Sequence, residues 1–116
     1  MKPEAIIQSR IQGALKSCGY LSIHIPNRGS FNPFTKRYNI VTDPWFVPGV
    51  PDLVVLLPHA QVLWIEVKTA TGQRSISQVR MAARLSDLGH NYLLARDVQT
   101  VMEWLKTHCF KYAEKA

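Results

Sequence analysis

Two apolar stretches in the middle of the chain, Leu53 to Leu57 and Val62 to Val67, have the length and composition of neighbouring β-strands. The short segment between them begins with Pro58, which favours a turn, so the two stretches are expected to form a hairpin. Side chains alternate between the two faces of a strand, which places Glu66 and Lys68 together on one face and the flanking aliphatic residues on the other. The hairpin is therefore predicted to bury one face in the core and to carry chemistry on the other.

The length of the hairpin loop decides whether two acidic side chains meet. If the loop comprises Leu57 to Gln61, Asp52 lies directly opposite Glu66, with the two Cβ atoms about 4.5 to 5.5 Å apart. A loop shorter by one residue would place Asp52 on the opposite face. Opposed carboxylates repel each other unless a cation lies between them, and Mg²⁺ takes oxygen ligands from one or two carboxylates together with waters and substrate phosphates. The longer loop thus predicts a candidate metal site.

Three helices and two more strands are predicted around the hairpin. They are a helix over Glu4 to Lys16, a strand over Tyr20 to Ile25, a helix from Ser75 to about Leu88, a strand over Asn91 to Ala95 and a helix after Asp97. The alternation in the first strand, with Leu21, Ile23 and Ile25 on its apolar side, marks it as half-buried. The helix from Ser75 is predicted to turn Val79, Ala82, Ala83 and Leu85 inward. This order predicts an α/β sandwich around a small mixed sheet.

Composition and charge narrow the possible functions. The 116 residues, 47% of them hydrophobic, suffice for one core, so residues 1–116 are expected to form a single domain. The net charge of +6 favours a polyanionic partner, although a basic surface without such a partner is an alternative. No apolar run approaches the ~20 residues of a membrane span, and polar residues interrupt the N-terminus. We therefore expect no membrane association and a cytoplasmic location.

The motif residues resemble a known superfamily. Pro51-Asp52 together with Glu66-Val67-Lys68 resembles the PD-(D/E)XK nucleases, and the longer run from Gly49 to Gln78 resembles their VRR-NUC (virus-type replication-repair nuclease) branch. The similarity extends from the first helix to the strand after Gln78 and is weakest between Pro26 and Val47. It implies a restriction-endonuclease-like αβββαβ core and metal-dependent hydrolysis of DNA.

The resemblance also implies a set of site residues. Asp52, Glu66 and the backbone carbonyl of Val67 would hold Mg²⁺ or Mn²⁺, and Lys68 would hold or deprotonate the attacking water. Gln78 has two interpretations, because it completes the pattern of a capping box with Ser75 and also matches an active-site glutamine of the family. Glu4 likewise either favours the dipole of the first helix or, as in related nucleases, faces the metal site.

The irregular segment 26–48 combines basic and aromatic residues and is a candidate surface for DNA. For its aromatic residues, packing in a lid or a dimer interface is the favoured interpretation. The predicted phosphate contacts are Arg28, Lys36, Arg37 and Arg74. The tail 106–116 is expected to fray.

Resemblance to stand-alone members of the family implies a homodimer that nicks branched DNA such as four-way junctions. The alternatives are a related nuclease that acts on flaps, duplex DNA or RNA, and a non-catalytic nucleic-acid-binding module with the same fold.

Overall fold

The computed structural model describes residues 2–26, 30–32, 37–39 and 44–108, with the backbone alone at 30–32 and 37–39. The helices are α1 (Pro3–Ser17), α2 (Ile76–Asp87) and α3 (Val98–His108). The strands are β1 (Leu21–His24), β2 (Ser30–Asn32), β3 (Arg37–Asn39), β4 (Leu53–Leu56), β5 (Val62–Val67) and β6 (Asn91–Ala95). No helix in this part of the chain is long and apolar enough to cross a membrane.

Four strands form a mixed sheet in the order β1-β4-β5-β6. The pairs β1–β4 and β4–β5 are antiparallel, whereas β5 and β6 are parallel and are connected through α2. Strands β2 and β3 form a separate antiparallel pair. The sequence α1, β1, β4, β5, α2, β6 confirms the predicted αβββαβ order around a small mixed sheet.

The hairpin between β4 and β5 has the longer of the two loops considered above. Leu56 pairs with Val62, and the Leu57 N–H donates to the Gln61 carbonyl at 2.9 Å to close the loop. His59 and Ala60 turn the chain through left-handed conformations, with φ of 62° and 59°. Continued past the last pair of the strands, this register brings Asp52 opposite Glu66.

The core lies on the face of the sheet that packs against α1 and α3. Leu63, Ile65 and Val67 are completely buried there, which confirms the predicted core face of β5. From the helices, the fully buried contributors are Ile11, Leu15 and Val101. On the opposite face of the sheet, which carries Glu66, the backbone of α2 lies close to that of β6 and to no other strand among the described residues.

Strand β1 differs from the prediction that its apolar side would be buried. Leu21 and Ile23 are 61% and 47% exposed, whereas Tyr20 packs against the core. Leu21 pairs with Leu56 and Ile23 with Val54, so both side chains lie on the Glu66 face of the sheet. At this edge that face has no helix packed on it among the described residues, because the backbone of α2 lies over the opposite edge strand.

Helix α2 has a narrower buried stripe than predicted. Ala82 and Leu85 are buried, but Val79 and Ala83 are exposed, so the inward orientation of these two residues was predicted wrongly. The reason is again that α2 lies over the edge strand β6, which buries a single row of its side chains.

Candidate active site

Asp52 lies immediately before β4, and hydrogen bonds hold both its backbone and its side chain. Its backbone carbonyl accepts a hydrogen bond from the Ile25 N–H at 2.8 Å, which extends the β1–β4 pairing by one step. Its carboxylate oxygen Oδ2 accepts a hydrogen bond from the Val67 N–H, also at 2.8 Å. The side chain is therefore held across the end of β5 and beside Glu66.

Glu66 is the one charged residue buried among the described residues, with 1% of its surface exposed. Its Oε2 atom accepts a hydrogen bond from Gln78 Nε2 at 3.0 Å. Its Oε1 atom is buried without a hydrogen-bond donor in the described part of the chain. Because a buried carboxylate oxygen without a donor is costly, this atom marks a position where a proton or a cation would be stabilised.

The electrostatic surroundings favour a proton on Glu66 when no cation is present. Burial, followed by the negative charge and hydrogen-bonding proximity of Asp52, raises the pKa of Glu66 from 4.5 to about 8. The positive charge of Lys68 opposes this rise in pKa, and the negative charge of Glu4 adds to it. Asp52, Lys68 and Glu4 thus all lie close enough to Glu66 for their charges to act on it.

Gln78 caps α2 as one of its two interpretations predicted, and it also contacts Glu66, because the two ends of its amide point to different partners. Its Oε1 accepts from the Ser75 N–H at 2.8 Å, while its own N–H donates to Ser75 Oγ at 3.2 Å, so the capping box is present. Its Nε2 is the donor to Glu66. The first turn of α2 is thereby tied to the acidic pair.

Gly49 explains how α2 comes so close to the strand that carries Asp52. It has a φ of 82°, which favours glycine, and a Cβ at this position would overlap the backbone carbonyl of Ser77. The glycine of the Gly49 to Asp52 motif therefore lets the chain pass directly against the first turn of α2.

The fold of this chain is similar to that of a known protein domain. A solved structure described as "VRR_NUC domain" matches 95% of this chain and 100% of its own, with a TM-score of 0.65 and 21% sequence identity. The chain has the fold of a VRR_NUC domain. This result confirms the predicted restriction-endonuclease-like fold. No family model matches the sequence, and no curated protein matches it significantly.

Within the VRR_NUC fold of this chain, Arg96 is a site-supporting residue that sequence reasoning missed. Its Nη1 donates to the carbonyls of Thr69 and Gly72 at 2.5 and 2.6 Å, which holds the loop that follows Lys68. Lys68 itself is fixed by its N–H, which donates to the Ala95 carbonyl at 3.0 Å. The parallel pairing of β5 with β6 creates this proximity.

Tyr92 is a second residue that was missed. The Arg74 guanidinium lies 5.9 Å from the centre of the Tyr92 ring, and Arg74 Nη1 donates to the tyrosine hydroxyl at 3.4 Å. Burial raises the pKa of Tyr92, the hydrogen bond from Arg74 lowers it, and the charges of Glu66 and Asp52 raise it further. Arg74, predicted to contact phosphate, is therefore held near the acidic pair.

The other predicted DNA contacts are not placed by the structure. Arg28 and Lys36 lie outside the described residues, and Arg37 is described only as backbone in β3. The tail beyond His108 also lies outside them. The phosphate contacts of Arg28, Lys36 and Arg37 and the fraying of the tail remain predictions.

The two predicted metal ligands that the structure brings together, Asp52 and Glu66, fit a hard divalent cation. The described residues hold no group of three or more His, Cys, Asp or Glu side chains arranged to bind a metal, so the candidate site rests on the two carboxylates of Asp52 and Glu66. Mg²⁺ typically binds one or two protein carboxylates and keeps several waters. The buried Oε1 atom without a donor is the observation that favours a cation here.

Proposed function

We propose that this protein is a metal-dependent endonuclease that hydrolyses phosphodiester bonds in DNA. The observation that carries the proposal is the buried Glu66 carboxylate, which has Asp52 beside it and one oxygen without a donor among the described residues. Lys68 and Gln78 flank this pair in a chain with the fold of a VRR_NUC domain. A buried carboxyl beside a second acid destabilises the fold when both are ionised, and such groups are concentrated at functional sites.

Asp52, Glu66 and the backbone carbonyl of Val67 would hold Mg²⁺ or Mn²⁺. The bound cation would lower the pKa of a coordinated water and neutralise charge on the phosphate oxygens. The Val67 N–H and the Gln78 amide orient the two carboxylates before the cation arrives, through the hydrogen bonds described above. Such preorganisation limits the reorganisation needed when substrate binds.

Lys68 is the proposed general base or water-positioning group. It lies close enough to Glu66 for its charge to lower the pKa of that acid. From this position its amine would take a proton from the attacking water, and the resulting ammonium would stabilise negative charge on the pentacovalent phosphorane. Arg96 holds the following loop, so it would act as a positioning residue for Lys68.

The proposed substrate is branched DNA, such as a four-way junction, cut by a homodimer. A net charge of +6 supports binding of a polyanion, and Arg74 at the edge of the site is available for a phosphate contact. A two-fold dimer would present two active sites to two strands of a symmetric junction. Arg28, Lys36 and Arg37 are proposed as further phosphate contacts.

The test is a cleavage assay on four-way-junction, flap, single-stranded and duplex DNA with Mg²⁺, Mn²⁺ or EDTA. We expect metal-dependent cutting that is fastest on the junction and absent in Asp52→Ala and Lys68→Ala. Glu103→Gln, which changes an exposed acid on α3, is the control and should cut normally. Binding without cutting under every metal would refute the enzyme proposal and favour a non-catalytic binding module.

A further inference from the structure

A cavity of about 520 Å³ lies beside the candidate active site, between the segment that precedes β4 and the first turn of α2. Its volume falls within the roughly 300–1,000 Å³ that is typical of sites for small organic ligands. It is lined by Ile25, Pro26, residues 45–50, Ser75, Ser77 and Gln78.

The cavity has an aromatic wall and a polar edge. Trp45, which is 85% exposed, and Phe46 supply the aromatic surface, and the first turn of α2 supplies the hydroxyls of Ser75 and Ser77. Gly49 keeps the two sides together, since its backbone packs against that of Ser77. A flat apolar surface beside hydrogen-bonding groups matches a nucleobase, which has an apolar face and a polar rim.

Gln78 connects the cavity to the chemistry. It lines the cavity, and its Nε2 donates to Glu66 at 3.0 Å. A DNA strand whose phosphate lies against Asp52 and Glu66 therefore passes the mouth of the cavity with the adjoining nucleotide. The same nucleotide can enter only if its base is out of the duplex stack, because a stacked and paired base has its faces and edge already occupied.

We propose that this cavity binds an unpaired nucleobase next to the scissile phosphate, with Trp45 as the stacking surface. The proposal rests on the proposed function and gives it a basis for substrate selection. Unstacking costs least for a base that is already unpaired, so DNA with an unpaired nucleotide at a branch point or flap is selected over continuous duplex. Trp45 is then a specificity-determining residue that takes no part in the hydrolysis itself.

The experiment measures binding without cleavage. Oligonucleotides that carry 2-aminopurine in place of one base, either unpaired in a single strand or paired in a duplex, are titrated with protein in EDTA. Stacking on an aromatic side chain quenches 2-aminopurine, so the unpaired probe should lose fluorescence on wild-type protein. Trp45→Ala should weaken binding of the unpaired probe about 5- to 150-fold and remove the quench. Trp45→Phe should retain much of both, and Leu88→Ala, at the exposed far end of α2, should change neither.

The outcomes separate this proposal from the nuclease proposal. If Trp45→Ala binds and quenches the unpaired probe as the wild type does, the base site is refuted, whatever the cleavage assay shows. Equal affinity of the wild type for paired and unpaired probes would also refute it. If the Trp45-dependent quench is present but the wild type cuts no DNA with any metal, the base site stands and the nuclease proposal fails.

Discussion

Replacing Glu66 by glutamine is expected to stabilise the protein in the absence of metal at neutral pH. A carboxyl whose pKa is raised on folding binds its proton more tightly in the folded state, so its ionisation opposes folding above the unfolded-state pKa. For Glu66 this pKa rises from 4.5 to about 8, because the group is buried beside Asp52. The destabilisation caused by ionised Glu66 is absent well below pH 4.5, grows as the pH rises between these two values, and is constant above about pH 8.

The size of the effect follows from the two pKa values. At about 1.36 kcal/mol per pH unit, the 2.5 units between 4.5 and pH 7 correspond to about 3 kcal/mol, and at pH 5 less than about 1 kcal/mol remains. Glutamine keeps an oxygen that can accept from Gln78 Nε2 and adds a donor for Asp52. Glu66→Gln should therefore raise the melting temperature by about 10 °C at pH 7 in EDTA, and much less at pH 5.

The assay is thermal unfolding of wild type, Glu66→Gln and the control Glu103→Gln from pH 5 to pH 8, in EDTA and then with Mn²⁺. Glu103 is exposed on α3, so its replacement should give no gain that grows with pH. Mn²⁺ should stabilise the wild type, because it binds the ionised pair in the folded state, and should have little effect on Glu66→Gln. A Glu66→Gln variant less stable than wild type at pH 7 in EDTA would refute the reasoning and show that the charge of Glu66 stabilises the fold.

Three further predictions concern Gln78, Gly49 and Arg28. Gln78→Ala should lower both turnover and stability. Ser75→Ala, which removes the cap but keeps the donor to Glu66, should cost about 1 kcal/mol and lower turnover much less; equal turnover in the two variants would remove Gln78 from the active site. Gly49→Ala should destabilise the fold by more than about 1 kcal/mol in thermal unfolding, whereas Gly13→Ala, in open space within α1, should stabilise it slightly. A Gly49→Ala variant as stable as the wild type would contradict the close packing of Gly49 on α2. Arg28→Ala should weaken DNA binding across sequences and reduce the salt dependence by about one charge, and an unchanged slope would exclude this residue from the interface.

The sequence narrowed the register of the β4–β5 hairpin to two alternatives, because this register depends on local features. Two apolar stretches with a fixed number of residues between them allow only a few loops, and only one of these brings Asp52 to Glu66. The capping box at Ser75 was predictable for the same reason, since both partners lie within one turn of a helix. The fold class followed from the order of such local elements.

The orientation of β1 could not be read from its alternation. The pattern separates Leu21 and Ile23 from their neighbours, but it does not say which side of the sheet a helix will cover. Because β1 is an edge strand and α2 packs on the opposite edge, its aliphatic side stays exposed. Burial at an edge depends on the placement of distant elements.

Arg96 and Tyr92 were missed because they belong to the β6 region, which is far from the motif in sequence. Only the parallel pairing of β5 with β6, in which Val67 is aligned with Ala95, brings Arg96 next to the loop after Lys68. An arginine directly after a strand predicted to lie beside the strand that carries Glu66 is a signal for such a loop contact. It becomes informative only once the strand order is known.

Calorimetric titration of Mn²⁺ into the wild type, Asp52→Asn and Glu66→Gln is the most direct test of the central claim that the two carboxylates form a divalent-cation site. At pH 7, where a pKa of about 8 keeps Glu66 largely protonated, the wild type should bind Mn²⁺ with release of nearly one proton for that site, read from buffers of different ionisation enthalpy. Both variants should lose this binding and its proton release. Undiminished Mn²⁺ binding in the two variants, or no Mn²⁺ binding by the wild type, would contradict the claim.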